Sequence, residues 1–152
     1  MPLPTALASA TGHWDGNSRL HLSWLQDDQK IQEGPSLAQL EADLSGTFAT
    51  LTYTWTYEGE PQHGRMLVAG TEPVTVAWAD SWHQSARLLI LTGATTDAGF
   101  AVSGTYPAGD GSPDWGWRIE VSHSDKELRV LMTNITPDGE EEWAVDGRYT
   151  RA

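Results

Sequence analysis

Residues 74–84, VTVAWADSWHQ, alternate strictly between two kinds of side chain, and no other feature of the sequence constrains the fold as much. One parity holds the larger side chains and an acid: Val74, Val76, Trp78, Asp80 and Trp82. The other parity holds small residues and a histidine: Thr75, Ala77, Ala79, Ser81 and His83. Because a strand turns successive side chains to opposite faces, the pattern predicts a β-strand with one aromatic face. Aromatic surface beside a few polar groups is typical of a small-molecule site.

Short alternating runs of this kind recur along the chain and are separated by turn residues. The clearest run is residues 47–57, in which large side chains share one face and threonines share the other. Its large face comprises Leu51, Tyr53, Trp55 and Tyr57. About ten such runs predict an all-β fold, a single antiparallel up-and-down β-barrel. We expect one domain over residues 1–152, with residues 1–10 as an N-terminal tail.

Two segments interrupt the clear alternation. Residues 26–34 are polar and predict a loop. Residues 36–44 fit either a helix, through Leu37, Leu40 and Leu44, or a strand, through Leu40, Ala42 and Leu44. The short length and the following Ser45-Gly46 favour the strand, and the helix stays open.

Charge and composition narrow the classes of partner. The chain has 21 acidic and 9 basic residues, a net charge of -12, which argues against nucleic acid and anionic membrane as partners. There is no cysteine, so disulfides and thiolate chemistry are excluded. Residues 1–12 do not resemble a signal peptide, and no apolar run reaches membrane-spanning length. We therefore expect a cytoplasmic protein.

Motifs for catalysis or metal binding do not stand out. The five histidines form no compact metal signature, and the serines form no nucleophile elbow. In a continuous strand, Asp80 and His83 lie on opposite faces and form a pair only if the strand is interrupted. The sequence therefore predicts no metal site, no cofactor and no catalytic residue.

Four short motifs, taken in order, resemble a known family. Gly12-His13-Trp14 resembles the G-x-W opening of the calycin group, which includes the lipocalins. Ala79 to Trp82, the turn Pro137-Asp138-Gly139 and the ending Gly147 to Arg151 are similar to motifs of the bacterial DUF1579 family. The resemblance implies a calycin-like barrel and little chemistry, because that family is named for unknown function. In the lipocalin-like pattern an arginine of the last strand lies across the first tryptophan, which implies that Trp14 is structural, with Arg148 or Arg151 as its partner.

We expect the large faces of residues 47–57 and 74–84 to point into the barrel, because this placement removes the most apolar area from water. The predicted ligand-binding residues are Tyr53, Trp55, Tyr57, Trp78, Asp80, Trp82 and Arg118. Asp80 suits a hydrogen-bonded structural carboxylate better than a polar anchor for a ligand, although both stay open. Arg118 fits equally a ligand carboxylate inside the barrel and a surface ion pair with Glu120 or Glu142.

These observations favour a binding protein for a small hydrophobic molecule, with or without a polar or carboxylate group. Two alternatives remain. One is an enzyme that acts on a small lipophilic substrate through Asp80, His83 or Glu142. The other is a non-binding barrel whose tryptophans form a subunit interface, and a homodimer stays open as an assembly.

Overall fold

Ten antiparallel strands close into a barrel in the computed structural model, which describes residues 3–152 apart from the side chains of residues 85 and 86. The strands are β1 (Gly12–His21), β2 (Ile31–Ala42), β3 (Phe48–Tyr57), β4 (Glu60–Ala69), β5 (Val74–Asp80), β6 (Leu89–Thr95), β7 (Gly99–Tyr106), β8 (Trp115–His123), β9 (Leu128–Ile135) and β10 (Glu141–Arg151). Each pairs with the next, and β10 pairs with β1. The predicted all-β, up-and-down barrel is confirmed. Two short helical segments complete the fold: α1 (Thr5–Ser9) and a 3₁₀ turn (His83–Ala86).

Tight hairpins explain the up-and-down order. Between β3 and β4 only Glu58 and Gly59 lie outside the ladder, with φ angles of 49° and 82°. Two positive φ angles in a two-residue loop define the turn whose twist matches that of the flanking strands, and glycine adopts such an angle without strain.

The second strand begins earlier than the polar sequence suggested. Ile31 pairs with His21, so β2 takes in the end of the segment predicted as a loop. Its outward residues are exposed and partly charged, and they hide the alternation. Residues 36–42 are strand, as favoured, and the helical alternative is wrong.

Burial confirms the predicted inward faces. Leu51, Tyr53 and Trp55 of β3 are 1–7% exposed, and Val76 and Trp78 of β5 are 0% exposed. The threonines of β3 lie on the outer surface. The apolar area of the large side chains has thus left the water, as expected from the hydrophobic effect.

One end of the barrel is closed by Trp14, and we call it the closed end. The guanidinium of Arg151 lies 4.4 Å from the centre of the Trp14 ring, so Arg151 is the cation–π partner. Arg148 instead pairs with Asp146 on the barrel wall. Residues 3–10, predicted as a tail, include α1, whose Leu7 is buried against the barrel.

No helix within residues 3–152 has the length and apolar character needed to cross a membrane.

Candidate functional site

The strand predicted over residues 74–84 ends at Asp80, and residues 80–86, here called the capping turn, fold back over the barrel opening. The Asp80 carboxylate causes this change. Its Oδ1 accepts the backbone N–H of Trp82 at 2.8 Å and that of His83 at 2.9 Å. An aspartate that binds backbone amides two and three residues ahead stabilises a turn in place of a strand. The strand predicted to continue to residue 84 is therefore wrong beyond Asp80, and the interruption that a pairing of Asp80 with His83 required is present.

A tyrosine from β3 completes the partners of Asp80. The Tyr53 hydroxyl donates to Asp80 Oδ2 at 2.7 Å and accepts from Trp78 Nε1 at 2.9 Å. Gly64 of β4 pairs with Tyr53 on one side and with Asp80 on the other. A Cβ atom on Gly64 would lie only 1.9 Å from Cζ of the Tyr53 ring. The missing side chain of Gly64 is what lets Tyr53 cross β4 to reach the carboxylate.

The capping turn places His83 among tryptophans. Its ring centre lies 4.8–6.0 Å from four indole rings, those of Trp55, Trp78, Trp82 and Trp117. Trp78 and Trp117 stack on each other at 5.4 Å, and Trp82 packs edge-on against Trp55 at 5.7 Å. We call this group, together with Tyr53, Tyr57 and Asp80, the aromatic end.

Electrostatics at this end depend on Asp80. Burial acts to raise the pKa of the Asp80 carboxyl, but the nearby His83 ring and the hydrogen bonds from the His83 backbone and Tyr53 outweigh it and hold the pKa below its usual value. Burial, reinforced by the charge of Asp80, raises the pKa of the Tyr53 hydroxyl well above its usual value. At neutral pH the site therefore holds an ionised carboxylate and a protonated phenol.

Three buried nitrogen atoms at the aromatic end have no hydrogen-bond partner among the described residues. They are Trp55 Nε1, Trp117 Nε1 and His83 Nδ1. The last lies 3.3 Å from Asp80 Oδ1, which is ion-pair distance, but it does not point along a hydrogen-bond direction. Buried polar groups in native proteins are nearly always paired, so three such atoms in one cluster require an explanation.

Buried core side chains fill most of the barrel interior, so the space left beside the predicted ligand-binding residues is small. A space of about 10 Å³, lined by Ser18, Tyr53, Asp80 and His83 among others, has room for about one water molecule. A larger space of about 70 Å³ lies at the rim, and we call it the mouth cavity. Its lining includes Leu22, Trp82, His83, Trp117, Asn134 and Trp143.

The other predicted site residues divide between the interior and the surface. Tyr57 and Trp82 are half-buried at the rim, with ring centres 5.0 Å apart. Arg118 lies outside, because Trp117 and Ile119 on either side of it point inward. Its Nη2 donates to Glu141 at 2.6 Å, a hydrogen bond that raises the pKa of the guanidinium. Arg118 therefore does not reach the interior, and the surface ion pair is the correct alternative. Glu120 is a partner as predicted, but the second partner is Glu141 and not Glu142, which lies beside His21.

Two residues of the cluster, Trp117 and His83, were not among the predicted ligand-binding residues, although His83 was a candidate in the enzymatic alternative. Trp117 belongs to the inward face of β8, which the alternation of Trp115, Trp117, Ile119 and Val121 indicated. His83 could have been found from Asp80, since an aspartate at a strand end commonly binds the amides that follow it. In the described part of the chain, no three metal-ligating side chains come together.

Comparison with known proteins agrees with the motifs. No curated protein matches the chain. The model of the family described as "Protein of unknown function (DUF1579)" matches residues 5–151. With a family match over nearly its whole length and a closed barrel of ten strands, the chain belongs to the DUF1579 family.

Proposed function

We propose that the aromatic end of this protein binds a small hydrophobic molecule that carries a hydrogen-bond acceptor. The molecule would enter through the mouth cavity. The observation that carries the proposal is the group of unpartnered nitrogens, Trp55 Nε1, Trp117 Nε1 and His83 Nδ1. A buried donor without a partner costs about 1–3 kcal/mol. A ligand oxygen would remove part of that cost, and the indole rings would bury its apolar body.

Dimensions limit the ligand. The mouth cavity of about 70 Å³ is far below the ~300–1,000 Å³ of sites for drug-sized molecules. A space of this size holds the end of a chain or part of one ring once water is displaced, and the rest of the ligand would extend out through the entrance. The half-buried Trp82 and the exposed carboxylate of Glu142 border the entrance. The ligand acceptor would therefore point inward to His83 and Trp117, away from Glu142.

Titration of the intrinsic tryptophan fluorescence with benzoate and with decanoate tests the proposal. We expect saturable quenching by at least one probe. Trp117→Phe keeps an aromatic ring but removes the N–H, and it should weaken binding about tenfold, the loss of one hydrogen bond. Trp115→Phe is the matched control, since Trp115 lies on the same strand outside the cluster, and it should leave binding unchanged.

Equal weakening in both variants would contradict the proposed site. Failure of both probes, together with native mass spectra that show no co-purified small molecule, would contradict ligand binding itself.

An enzymatic function has one specific observation in its favour. His83 Nδ1 lies 3.3 Å from Asp80 Oδ1, and both residues line a space with room for about one water molecule. A histidine close to a carboxylate and to a water molecule is an arrangement from which general-base hydrolysis can develop, because the hydrogen bonds of such sites often tighten only when substrate binds. However, Asp80 already binds two backbone amides and Tyr53, which explains its position without catalysis.

Hydrolysis of p-nitrophenyl acetate separates the two functions. If His83 is a general base, His83→Gln should abolish turnover. Ser18→Ala, which changes the same small space, should keep most of the turnover. If the wild-type protein hydrolyses the ester no faster than free imidazole, the enzymatic alternative fails and the binding proposal is unaffected.

A further inference from the structure

We infer that two copies of this chain associate through the outer surface of β3, β4, β5 and β6, here called the neutral face. Of the 21 acidic residues in the chain, none occupies an outward position of these four strands. The outward positions carry mainly threonine, alanine and larger apolar residues, with Arg65 and His63 as the titratable groups. On a chain of net charge -12, a face without carboxylates is a marked asymmetry.

An exposed apolar row crosses this face. Leu67 pairs with Ala77, and Ala77 pairs with Ile90, so the three residues are direct neighbours across three strands. Leu67 is 45% exposed and Ile90 is 55% exposed. Paired strands lie about 4.8 Å apart, which makes the row a continuous ridge about 10 Å long. Contiguous apolar surface of this kind marks interaction sites more often than isolated exposed leucines do.

A groove lies directly beside the ridge. Its volume is about 1020 Å³, and its floor includes Thr52, Arg65 and Ala79, which form the next outward row along the same strands. The groove continues over β2 to β1, where Asp15 borders it. In a two-fold dimer the same patch serves both partners. A ridge next to a groove meets that condition, because rotation places each ridge in the groove of the other copy.

Charge selects a second copy as the occupant. Two chains of net charge -12 repel each other wherever carboxylates face each other. The outward positions of the neutral face carry none, and the carboxylates that line the groove beside it are Asp15, on the β1 side, and the buried Asp80, so repulsion is smallest here. A basic protein would be drawn to the acidic faces instead. Interface cores are depleted in charged residues, as this face is.

Sedimentation velocity of the full chain tests the inference through Leu67→Glu, with Leu44→Glu as the matched control. Leu44 is fully exposed in the turn between β2 and β3 and belongs to none of the four strands of the neutral face. We expect a wild-type dimer at about 100 μM, with Leu67→Glu at least about tenfold weaker and Leu44→Glu unchanged. Higher salt should strengthen the dimer, because it screens the repulsion between the two acidic chains. The Debye length is about 10 Å at 0.1 M salt and becomes shorter as salt is raised.

The inference would be overturned by a wild-type monomer at that concentration, by equal dimerisation of the two variants, or by a dimer that dissociates as salt is raised. Binding of a different protein to monomeric chain through Leu67 would also overturn it. Circular dichroism checks that the variants fold, and Ile90→Glu replaces Leu67→Glu if the latter does not.

Discussion

The two ends of the barrel are both covered by tryptophans, but they differ in how their polar groups are satisfied. At the closed end, Trp14 Nε1 donates to the Ala10 carbonyl at 2.9 Å, and Arg151 donates to the carbonyls of Thr11 and Ser9 at 2.5 and 2.7 Å. At the aromatic end, two indole N–H groups and one imidazole nitrogen have no partner in the described chain. The exception at the closed end is His123 Nε2.

This difference separates structure from function within one fold. At the closed end the cation and the indole are both bound by the chain itself, and the unpartnered His123 Nε2 is a single atom rather than a cluster. The aromatic end combines similar packing with donors that a ligand or water must satisfy. The same residue type, tryptophan, therefore serves as a plug at one end and as a candidate binding surface at the other.

The largest expected effect tests whether both ends are packed. Trp14→Ala and Trp55→Ala should each lower the free energy of unfolding by about 3–5 kcal/mol, since both side chains are at most 7% exposed. Urea denaturation gives the values. A cost below about 1 kcal/mol for Trp55→Ala would show that the aromatic end is an open cavity. The two ends would then differ in packing, whereas in the structure both are packed.

Removal of the charge from Asp80 should loosen one end alone. Asp80→Asn keeps the shape but loses charge-assisted hydrogen bonds from Tyr53 and the capping turn, at a cost of about 2–3 kcal/mol. Because the pKa of Asp80 is lowered from its ordinary value of 3.8, its stabilisation is complete above that value and is lost as pH falls through the folded-state pKa.

Unfolding measured from pH 7 down to about 2 should therefore show the wild type approaching the Asp80→Asn variant below about pH 4. A constant difference between the two proteins over that range would mean that the carboxylate charge contributes nothing to the capping turn.

A matched pair of glycine substitutions isolates the Tyr53 contact. Gly64→Ala forces the Tyr53 ring away from Asp80 and should cost about 1–3 kcal/mol. Gly34→Ala, in β2, places its methyl group in open space and should be neutral or slightly stabilising. Thermal unfolding measures both effects. Equal melting temperatures would show that Tyr53 relaxes without loss.

Sequence reasoning located the barrel and its inward faces because each depends on local alternation and apolar area. It placed Tyr53, Trp55 and Trp78 inside, and it listed Tyr53 and Asp80 among the site residues without predicting the hydrogen bond between them. It missed the capping turn, because residues 81–84 continue the alternating sequence pattern although the backbone leaves the sheet after residue 80. One hydrogen-bonded carboxylate overrode the last four residues of an eleven-residue pattern.

Two further features could not be predicted from local alternation, because they depend on how distant strands meet. The choice of Arg151 over Arg148 across Trp14 depends on register between the first and last strands. Trp14 pairs with Arg151 in that ladder, whereas Arg148 lies opposite Asn17. The packed interior likewise depends on the fit of side chains from all ten strands, which no single segment encodes.

The smallest expected effect is the sharpest test of the difference between the ends. Trp14→Phe and Trp117→Phe remove similar apolar area, so their packing losses largely cancel in a comparison. Trp14→Phe also leaves the Ala10 carbonyl without its donor, whereas Trp117→Phe removes an N–H that has no partner among the described residues. Trp14→Phe should therefore be the more destabilising by about 1 kcal/mol in urea denaturation. If Trp117→Phe costs as much, its N–H is satisfied by a retained water or ligand in the purified protein, and native mass spectrometry would distinguish these.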